Sequence, residues 1–341
     1  MAGIDIAIDL GTATLKIYAQ GRGIVTKAPA VVAYDTYREE VIAVGKEAYA
    51  MLGRTSDRVE IIRPMTGGVI SNFSMAEHII RHFIKQIATS RMLMPRVVVS
   101  VPCVVTEVQK RAVVDAICSA GVRKVCLIQE PVAAAMGAGV DISAPHGSFV
   151  VDIGAGTTDM AMLSLNGIAI SDSIPTAGDA FNDAITRYVR RRYSLIIGER
   201  TAEDAKLAIG CVHPKRQLET TVVKGIHAVK GLPQSLELTS DEMIEALYEQ
   251  AMQISGKVQS TLDMDPPELL ADVLTDGIVL TGGSANLYGM ATLLSQKTHV
   301  PVRLNENPED CVLMGAAKAL EFIDVLDNRS GGTLNPLLAH Y

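Results

Sequence analysis

One pattern occurs twice in the 341-residue chain, and it limits the possible folds more than any other feature. The apolar strand Ile4–Leu10 contains Asp9 near its end and runs into Gly11-Thr12, after which the chain returns as a second strand. Much later, Phe149–Ile153 contains Asp152 and runs into a similar turn and returning strand. From Asp9 to Asp152 the offset is 143 residues. A hairpin unit that recurs in this way predicts an internal duplication, and hence two related domains.

Between and after these hairpins, apolar strands alternate with helical patterns, which predicts an α/β class. Examples of buried strands are Arg96–Val101, Lys124–Gln129 and Gly277–Thr281. A capping box, in which a Ser or Thr is followed three residues later by Glu or Gln, marks a helix start. Three such pairs precede helical patterns: Ser74 with Glu77, Thr106 with Gln109, and Thr239 with Glu242.

Composition excludes several classes of protein. A net charge of −7 with only 4% aromatic residues argues against nucleic-acid binding, which needs basic surfaces and stacking rings. The five cysteines are scattered without a C-x-x-C pair, which is typical of reduced thiols in a cytosolic protein. The most apolar stretch, Val97–Val105, is too short for a transmembrane helix, so any membrane contact is expected to be peripheral.

The two hairpins together point to phosphate chemistry. A single Asp-x-Gly-Thr is also the pattern of an ordinary turn, but two of them can face each other across a cleft between duplicated domains. Their glycines let backbone N–H groups approach a polyphosphate, and Asp9 and Asp152 below could hold Mg²⁺, largely through its waters. No Walker A motif occurs. Further donors would be the hydroxyls of Thr12, Thr14, Thr157 and Thr158.

A third glycine segment follows the strand Gly277–Thr281. Gly282 and Gly283 could let a purine and its ribose lie against bare backbone. The same residues would also suit a crossing of helix and strand that needs small side chains, and the sequence alone leaves both interpretations open.

Taken together, five segments resemble the signature segments of the actin, heat-shock-chaperone and sugar-kinase superfamily. Within it, the chain most resembles the bacterial actin family MreB, through runs such as Ile62–Met65, Glu130–Gly139 and Ile197–Glu203. The resemblance spans about residues 4–325. The five segments are Asp9–Lys16, Gln129–Pro131, Asp152–Asp159, Asp276–Ser284 and Cys311–Glu321.

The resemblance implies an α/β actin-like ATPase fold, in which two duplicated ribonuclease-H-like domains flank a nucleotide cleft. Each domain carries a smaller inserted subdomain. Domain I is expected at 1–139 plus 311–327, with its insertion at about 29–67. Domain II is expected at 140–310, with its insertion at about 176–242, and 328–341 is expected to form a flexible tail.

The resemblance also implies roles for individual residues, with ATP and Mg²⁺ as cofactors. Glu130 resembles the residue that orients the attacking water, and Thr157 and Thr158 lie at the turn nearest to it. Glu203 and Lys206 resemble the pair that binds ribose and base, although such a pair is also common as a surface salt bridge. The nucleotide-binding set is Gly11, Thr12, Ala13, Thr14, Lys16, Gly154, Ala155, Gly156, Thr157, Thr158, Glu203, Lys206, Gly282, Gly283 and Ser284, with Asp9 and Asp152 at the metal.

Three positions depart from the family pattern. Lys16 replaces the usual apolar residue, and it could contact the β-phosphate or point into solvent. Ala155 replaces a glycine, which adds a methyl group where backbone should approach phosphate. Asp159 stands where a glutamate is common. The last two substitutions bear on the rate of hydrolysis more than on nucleotide binding.

The function implied is that of an ATP-hydrolysing cytoskeletal protein that polymerises with itself under the cytoplasmic membrane and organises cell-wall synthesis with cell-elongation proteins. A nucleotide-gated scaffold with little hydrolysis and a small-molecule kinase are the alternatives. The loop residues Met92, Leu93 and Met94 could insert into the inner face of the membrane or pack on their own domain. Because aromatics are scarce, we expect no stacking ring in the cleft.

Overall fold

The computed structural model describes residues 4–87, 94–264 and 266–323. The strands of the first half are β1 (Ile6–Leu10), β2 (Thr14–Ala19), β3 (Gly23–Pro29), β4 (Val32–Asp35), β5 (Glu40–Val44), β6 (Val59–Ile62), β7 (Met65–Thr66), β8 (Val69–Ile70), β9 (Arg96–Val101) and β10 (Lys124–Gln129). Its helices are α1 (Lys46–Met51), α2 (Phe73–Ile87), α3 (Glu107–Ser119) and α4 (Glu130–Gly137).

The second half continues the alternation of strands and helices that the sequence predicts. Its strands are β11 (Ser148–Ile153), β12 (Thr158–Ser164), β13 (Gly167–Ile174), β14 (Leu195–Ile196), β15 (Thr220–His227), β16 (Pro233–Thr239), β17 (Ile278–Thr281) and β18 (Val302–Leu304). Its helices are α5 (Gly178–Tyr193), α6 (Glu199–Ile209), α7 (Ser240–Leu262), α8 (Pro267–Asp276), α9 (Met290–Thr298) and α10 (Cys311–Ala319).

Two five-stranded sheets share one topology. The first has the order β10-β9-β1-β2-β3 and the second the order β13-β12-β11-β17-β18. In each, a central strand pairs antiparallel with the next strand of the chain and parallel with a later one. Asp9 lies opposite Lys16, and Asp152 lies opposite Asp159, at the same offset of 143 residues. This repeated register confirms the duplication predicted from the sequence.

Helices α4 and α10 pack against each other between the two sheets. They form one apolar cluster with residues of both sheets, including Ala7 of β1 and Val150 of β11. The crossing is close enough to require glycine, because a Cβ on Gly315 would lie 1.7 Å from the carbonyl oxygen of Ala133. This packing fixes the start of α4, where Glu130 lies, between the two hairpins.

Two smaller sheets lie within the ranges expected for the inserted subdomains. The order β5-β4-β6 falls within 29–67, and the order β14-β15-β16 falls within 176–242. The first has its own small apolar cluster around Val31 and Ala48. The domain boundaries themselves stay a prediction, and the tail 328–341 lies outside the described residues.

Two of the three predicted capping boxes are confirmed. Thr106 with Gln109 caps α3, and Thr239 with Glu242 caps α7. The pair Ser74 and Glu77 was wrong, because α2 already begins at Phe73. There the side chain of Asn72 accepts a hydrogen bond from the Met75 amide at 3.2 Å, and Glu77 pairs with Arg81 instead. Within the described ranges, the helices are too short or too polar for any of them to span a bilayer.

Candidate functional site

The two hairpins border a single cleft of about 450 Å³. The third glycine segment and helix α6 border it as well. The structure therefore brings together elements that are far apart in the sequence. The predicted residues that line this cleft are Asp9, Gly11, Thr12, Ala13, Thr14, Lys16, Glu130, Asp152, Gly154, Ala155, Gly156, Thr157, Glu203, Lys206, Gly282, Gly283 and Ser284.

The hairpins face each other at close range. A Cβ on Gly156 would lie 2.3 Å from the Thr12 hydroxyl oxygen, so this position has room for glycine alone. The Thr12 hydroxyl oxygen also accepts a hydrogen bond from the Gly68 amide at 2.9 Å. Gly68 has a φ of +74° and lies against Thr157, where a Cβ would be 3.3 Å from the Thr157 methyl group. Bare backbone therefore lines the cleft where the two hairpins meet, as phosphate binding requires.

Lys16 is buried at the floor of the cleft, which excludes the solvent-facing alternative. Its Nζ lies 3.1 Å from Asp9 Oδ2 and 3.8 Å from Asp310 Oδ1, and it donates to the Glu309 carbonyl. Burial lowers the pKa of the ammonium group, but the charge and hydrogen bond of Asp9 outweigh this and raise it. Lys16 is therefore a cation at neutral pH, and it lines the cleft.

Asp152 is held in a different electrostatic environment. Its Oδ1 accepts a hydrogen bond from the Thr281 hydroxyl at 2.7 Å. Burial raises its pKa to about 7, with the hydrogen bond from Thr281 acting against this and the charges of Asp159 and Asp9 adding to it. A bound cation would favour the ionised form.

Glu130 is the first residue of α4 and lines the cleft. Burial raises the pKa of its carboxyl group well above the usual value, and the negative charges of Asp159 and Asp152 raise it further. A carboxylate of increased basicity is a better acceptor of a proton from water. Its assignment as the residue that orients water stays a prediction.

Thr157 and Thr158 occupy different environments, although they are adjacent. Thr157 lines the cleft. Thr158 is fully buried, and its hydroxyl donates to the Thr176 carbonyl at 2.7 Å. Because burial and this hydrogen bond hold its hydroxyl inside the domain, Thr158 does not line the cleft. This corrects the expectation that the Thr158 side chain acts there.

Glu203 and Lys206 line the cleft, so they are not a solvated surface pair. Lys206 Nζ lies 2.7 Å from Glu203 Oε2 and donates to the Gly178 carbonyl at 3.1 Å. The Lys206 side chain is only 10% exposed. The Asn182 side-chain amide donates to the same Glu203 oxygen, which fixes the carboxylate in place.

The third glycine segment is tied to the second hairpin. Gly282 has a φ of +91°, and a Cβ there would lie 2.3 Å from the Ile153 carbonyl oxygen. The Ser284 hydroxyl donates to the Gly154 carbonyl at 2.7 Å. The small residues therefore serve close packing, and they also border the cleft. Their contact with a purine and its ribose stays a prediction.

Two aromatic residues border the cleft, and the expectation that no ring stacks on the ligand stays a prediction. Phe181 and Tyr288 both line the cleft, and Lys215 Nζ lies 5.3 Å from the centre of the Tyr288 ring. Sequence reasoning also missed Asp179, at the start of α5. No local motif marks these residues, because segments far apart in the chain meet there: Phe181 and Asp179 lie on α5, Lys215 follows α6, and Tyr288 precedes α9.

The acidic residues fit a magnesium ion that keeps most of its water. Among the residues that the structure describes, no group of three or more His, Cys, Asp or Glu side chains is placed to hold a metal directly. Asp9 and Asp152 both line the cleft beside the hairpin glycines. Mg²⁺ is commonly bound by one or two carboxylates together with waters and substrate phosphates, which matches this arrangement.

A family model described as MreB/Mbl protein matches residues 3–328. The chain belongs to the MreB/Mbl family. The cell shape-determining protein MreB of Escherichia coli (strain K12) is 45% identical over 327 residues, which is 94% of each chain. The cell shape-determining protein Mbl of Bacillus cereus is 43% identical, over 96% of this chain and 98% of the relative.

Solved structures agree with the MreB/Mbl assignment. MreB5 of Spiroplasma citri bound to ADP superposes with a TM-score of 0.91 and 31% identity, over 96% of this chain and 99% of that one. The double helical filament of MamK matches at a TM-score of 0.80 and 21% identity, over 93% of this chain and 98% of that one. The actin-like fold expected from the sequence is thereby confirmed.

Proposed function

We propose that this MreB/Mbl-family chain binds ATP with Mg²⁺ in the cleft, hydrolyses it and polymerises with copies of itself. One observation carries the proposal: the two glycine–threonine hairpins face each other over Asp9 and Asp152, with Glu130 in the same cleft. S. citri MreB5 has been solved with ADP and with AMPPNP, which supports a nucleotide as the ligand.

Different residues of the cleft would bind different parts of the nucleotide. Backbone amides of both hairpins and the Lys16 ammonium group would bind the phosphates, while Glu203 and Lys206 would bind the ribose and base. Asp9 and Asp152 would hold Mg²⁺ through its waters, and the ion would supply neutralisation of phosphate charge. Tyr288 and Lys215 border the cleft beside α6, where they could contact the base.

Glu130 would act on the attacking water. With its basicity raised by burial and by Asp159, its carboxylate can accept a hydrogen bond from water and receive the proton as the water attacks the γ-phosphate. Thr157 lies on the hairpin beside it and offers a hydroxyl to the same region. The hairpins keep the phosphate in line for the attack.

We place this activity in the cytoplasm, at the inner face of the cell membrane, with cell-elongation and wall-synthesis proteins as partners. The relatives at 43–45% identity are named for determining cell shape, which supports this. Membrane contact would use Met92, Leu93 and Met94. The first two lie outside the described residues, and Met94 is 51% exposed.

A scaffold that binds ATP and hardly hydrolyses it is the second candidate, and Ala155 favours it. Its methyl group stands in the phosphate turn, and its carbonyl is held by the Asp179 amide at 2.8 Å, so the turn cannot easily move away. A change of position by a few tenths of an ångström at the phosphate would slow hydrolysis more than binding.

Sedimentation tests the proposal. Purified protein is centrifuged with ATP, with AMPPNP and without nucleotide, and phosphate release is measured in the same samples. Pelleting that depends on nucleotide, together with phosphate release, supports the polymerising ATPase. Pelleting without release supports the scaffold. Release that needs an added sugar, without pelleting, contradicts both and supports the kinase.

A further inference from the structure

Two side-chain contacts join the halves of the chain beside the cleft. Arg63, directly after β6, donates from Nη2 to Glu199 Oε1 at the start of α6. The guanidinium group of the next residue, Arg200, lies 5.6 Å from the centre of the Tyr49 ring in α1. Both contacts link the first turn of α6 to the region of the β4–β6 sheet, and each uses different residues.

Helix α6 presents its nucleotide-facing residues on the side that Arg63 holds. Glu199, Glu203 and Lys206 have the spacing i, i+4, i+7, which places them on one face of a helix. Glu203 and Lys206 line the cleft. The contact at Glu199 therefore holds the same face of the helix that carries the residues assigned to the ribose and base. Glu203 lies about one turn further along that face, and Lys206 about two turns.

The charge of Arg63 also reaches the wall of the cleft. Asp179, at the start of α5, lines the cleft. Burial raises the pKa of its carboxyl group, and the positive charges of Arg63 and Lys206 act against that increase. The Arg63 side chain is 26% exposed and that of Glu199 46%, so the pair is only partly shielded from water and salt.

We propose that Arg63 and Glu199 are positioning residues of the nucleotide site, whose ion pair holds α6 in place and slows the release of a bound nucleotide. The proposal rests on the nucleotide-binding part of the proposed function. Neither residue lines the cleft. When the pair is broken, α6 can move outwards with Glu203 and Lys206, so a bound nucleotide loses contacts and dissociates faster.

Charge reversal tests the pair. Protein is loaded with radiolabelled ADP and Mg²⁺, excess unlabelled ADP is added, and retained label is followed by rapid filtration. Arg63→Glu and Glu199→Arg are each expected to accelerate release about three- to tenfold, a range set by the coupling of partly exposed charges. The double variant Arg63→Glu with Glu199→Arg is expected to release within about twofold of the wild-type rate, because the restored pair re-establishes the same coupling.

A matched control lies in α2, where Arg81 and Glu77 form a pair within one helix. Glu77→Arg is expected to leave the release rate unchanged. Release at the wild-type rate in both single reversals overturns the proposal, and so does a double variant that stays as fast as the singles. Faster release in the control as well would show a general loss of stability, and this too overturns it.

The outcome is separable from that of the proposed function. Wild-type protein that binds ADP but neither pellets nor hydrolyses ATP contradicts the proposed function, while the release rates still decide the role of the pair. Wild-type protein that binds no ADP contradicts both. Thermal unfolding midpoints, measured without nucleotide, show whether the reversals change retention or only global stability.

Discussion

Lys16 lies directly opposite Asp9 on the first hairpin, and their side chains form a buried ion pair of 3.1 Å. The same register in the second hairpin places Asp159 opposite Asp152, so an acid takes the position of the lysine. One half of the duplicated site therefore has an internal cation, while the other has two facing carboxylates. This asymmetry leaves negative charge on the Asp152 side of the cleft, where Mg²⁺ would compensate for it.

Replacing Lys16 with methionine is expected to destabilise the nucleotide-free protein by about 3 kcal/mol, because Asp9 stays buried without its partner. Lys27 is a matched control, since it lies opposite Lys16 on β3 and pairs with Glu309 in a more exposed place. Lys27→Met is expected to lower the free energy of unfolding by less than about 1 kcal/mol. Urea unfolding at neutral pH measures the stability of both variants, and an equal loss of stability in the two would contradict this account.

The nucleotide-free protein is expected to lose stability as the pH rises from about 4 to about 7. Asp152 has a folded-state pKa of about 7 against 3.8 unfolded, so the folded state binds the proton more tightly in this range. Three pH units correspond to a loss of at most about 4 kcal/mol. Asp152→Asn should remove this part of the dependence, as measured by urea unfolding at pH 5 and pH 8 without divalent cations. An identical pH dependence in both proteins would refute the assignment.

Gly156→Ala is expected to weaken ATP binding about tenfold or more. The added methyl group would lie 2.3 Å from the Thr12 hydroxyl, and the overpacking, which costs about 1–3 kcal/mol, would push the hairpins apart. Gly256→Ala in α7 is the control, because a Cβ there meets no atom within 4 Å. Calorimetric titration with ATP gives both affinities. Unchanged binding by Gly156→Ala would show that the hairpins need not approach so closely.

The sequence predicted the parts of the site that carry a local signature. Both hairpins contain glycines, and Glu130 directly precedes Pro131. The duplication is visible as the fixed offset between the two hairpins. Tyr288, Lys215 and Asp179 could not be found in this way, because long-range contacts bring them to the cleft. One such contact is the hydrogen bond from the Val212 amide to the Tyr288 carbonyl at 2.9 Å.

Two local errors have equally local causes. The capping box predicted at Ser74 was wrong because Asn72, two residues earlier, is also a good helix cap. Its side chain accepts the hydrogen bond from the Met75 amide. The role predicted for the Thr158 hydroxyl was wrong because that group is buried and bonded to the Thr176 carbonyl, although the sequence shows two equivalent threonines.

Changing Met92 and Leu93 to serine is expected to abolish co-sedimentation with anionic liposomes while leaving ATP binding intact. Shallow insertion of an apolar loop is lost when its side chains become polar. Val104 and Val108, which are 63% and 79% exposed, give a matched control when both are changed to serine. Equal sedimentation of the Met92/Leu93 variant and wild type would exclude this loop as the membrane contact.

The most direct test of the central claim is phosphate release from assembling protein, measured for the wild type, Glu130→Gln and Glu107→Gln. Glu107 is a suitable control because its side chain is 84% exposed on α3. We expect Glu130→Gln to pellet with ATP like the wild type but to release phosphate about 100-fold more slowly, since the base is lost. Glu107→Gln should behave as wild type. Undiminished release by Glu130→Gln would contradict the claim that this cleft hydrolyses ATP through Glu130.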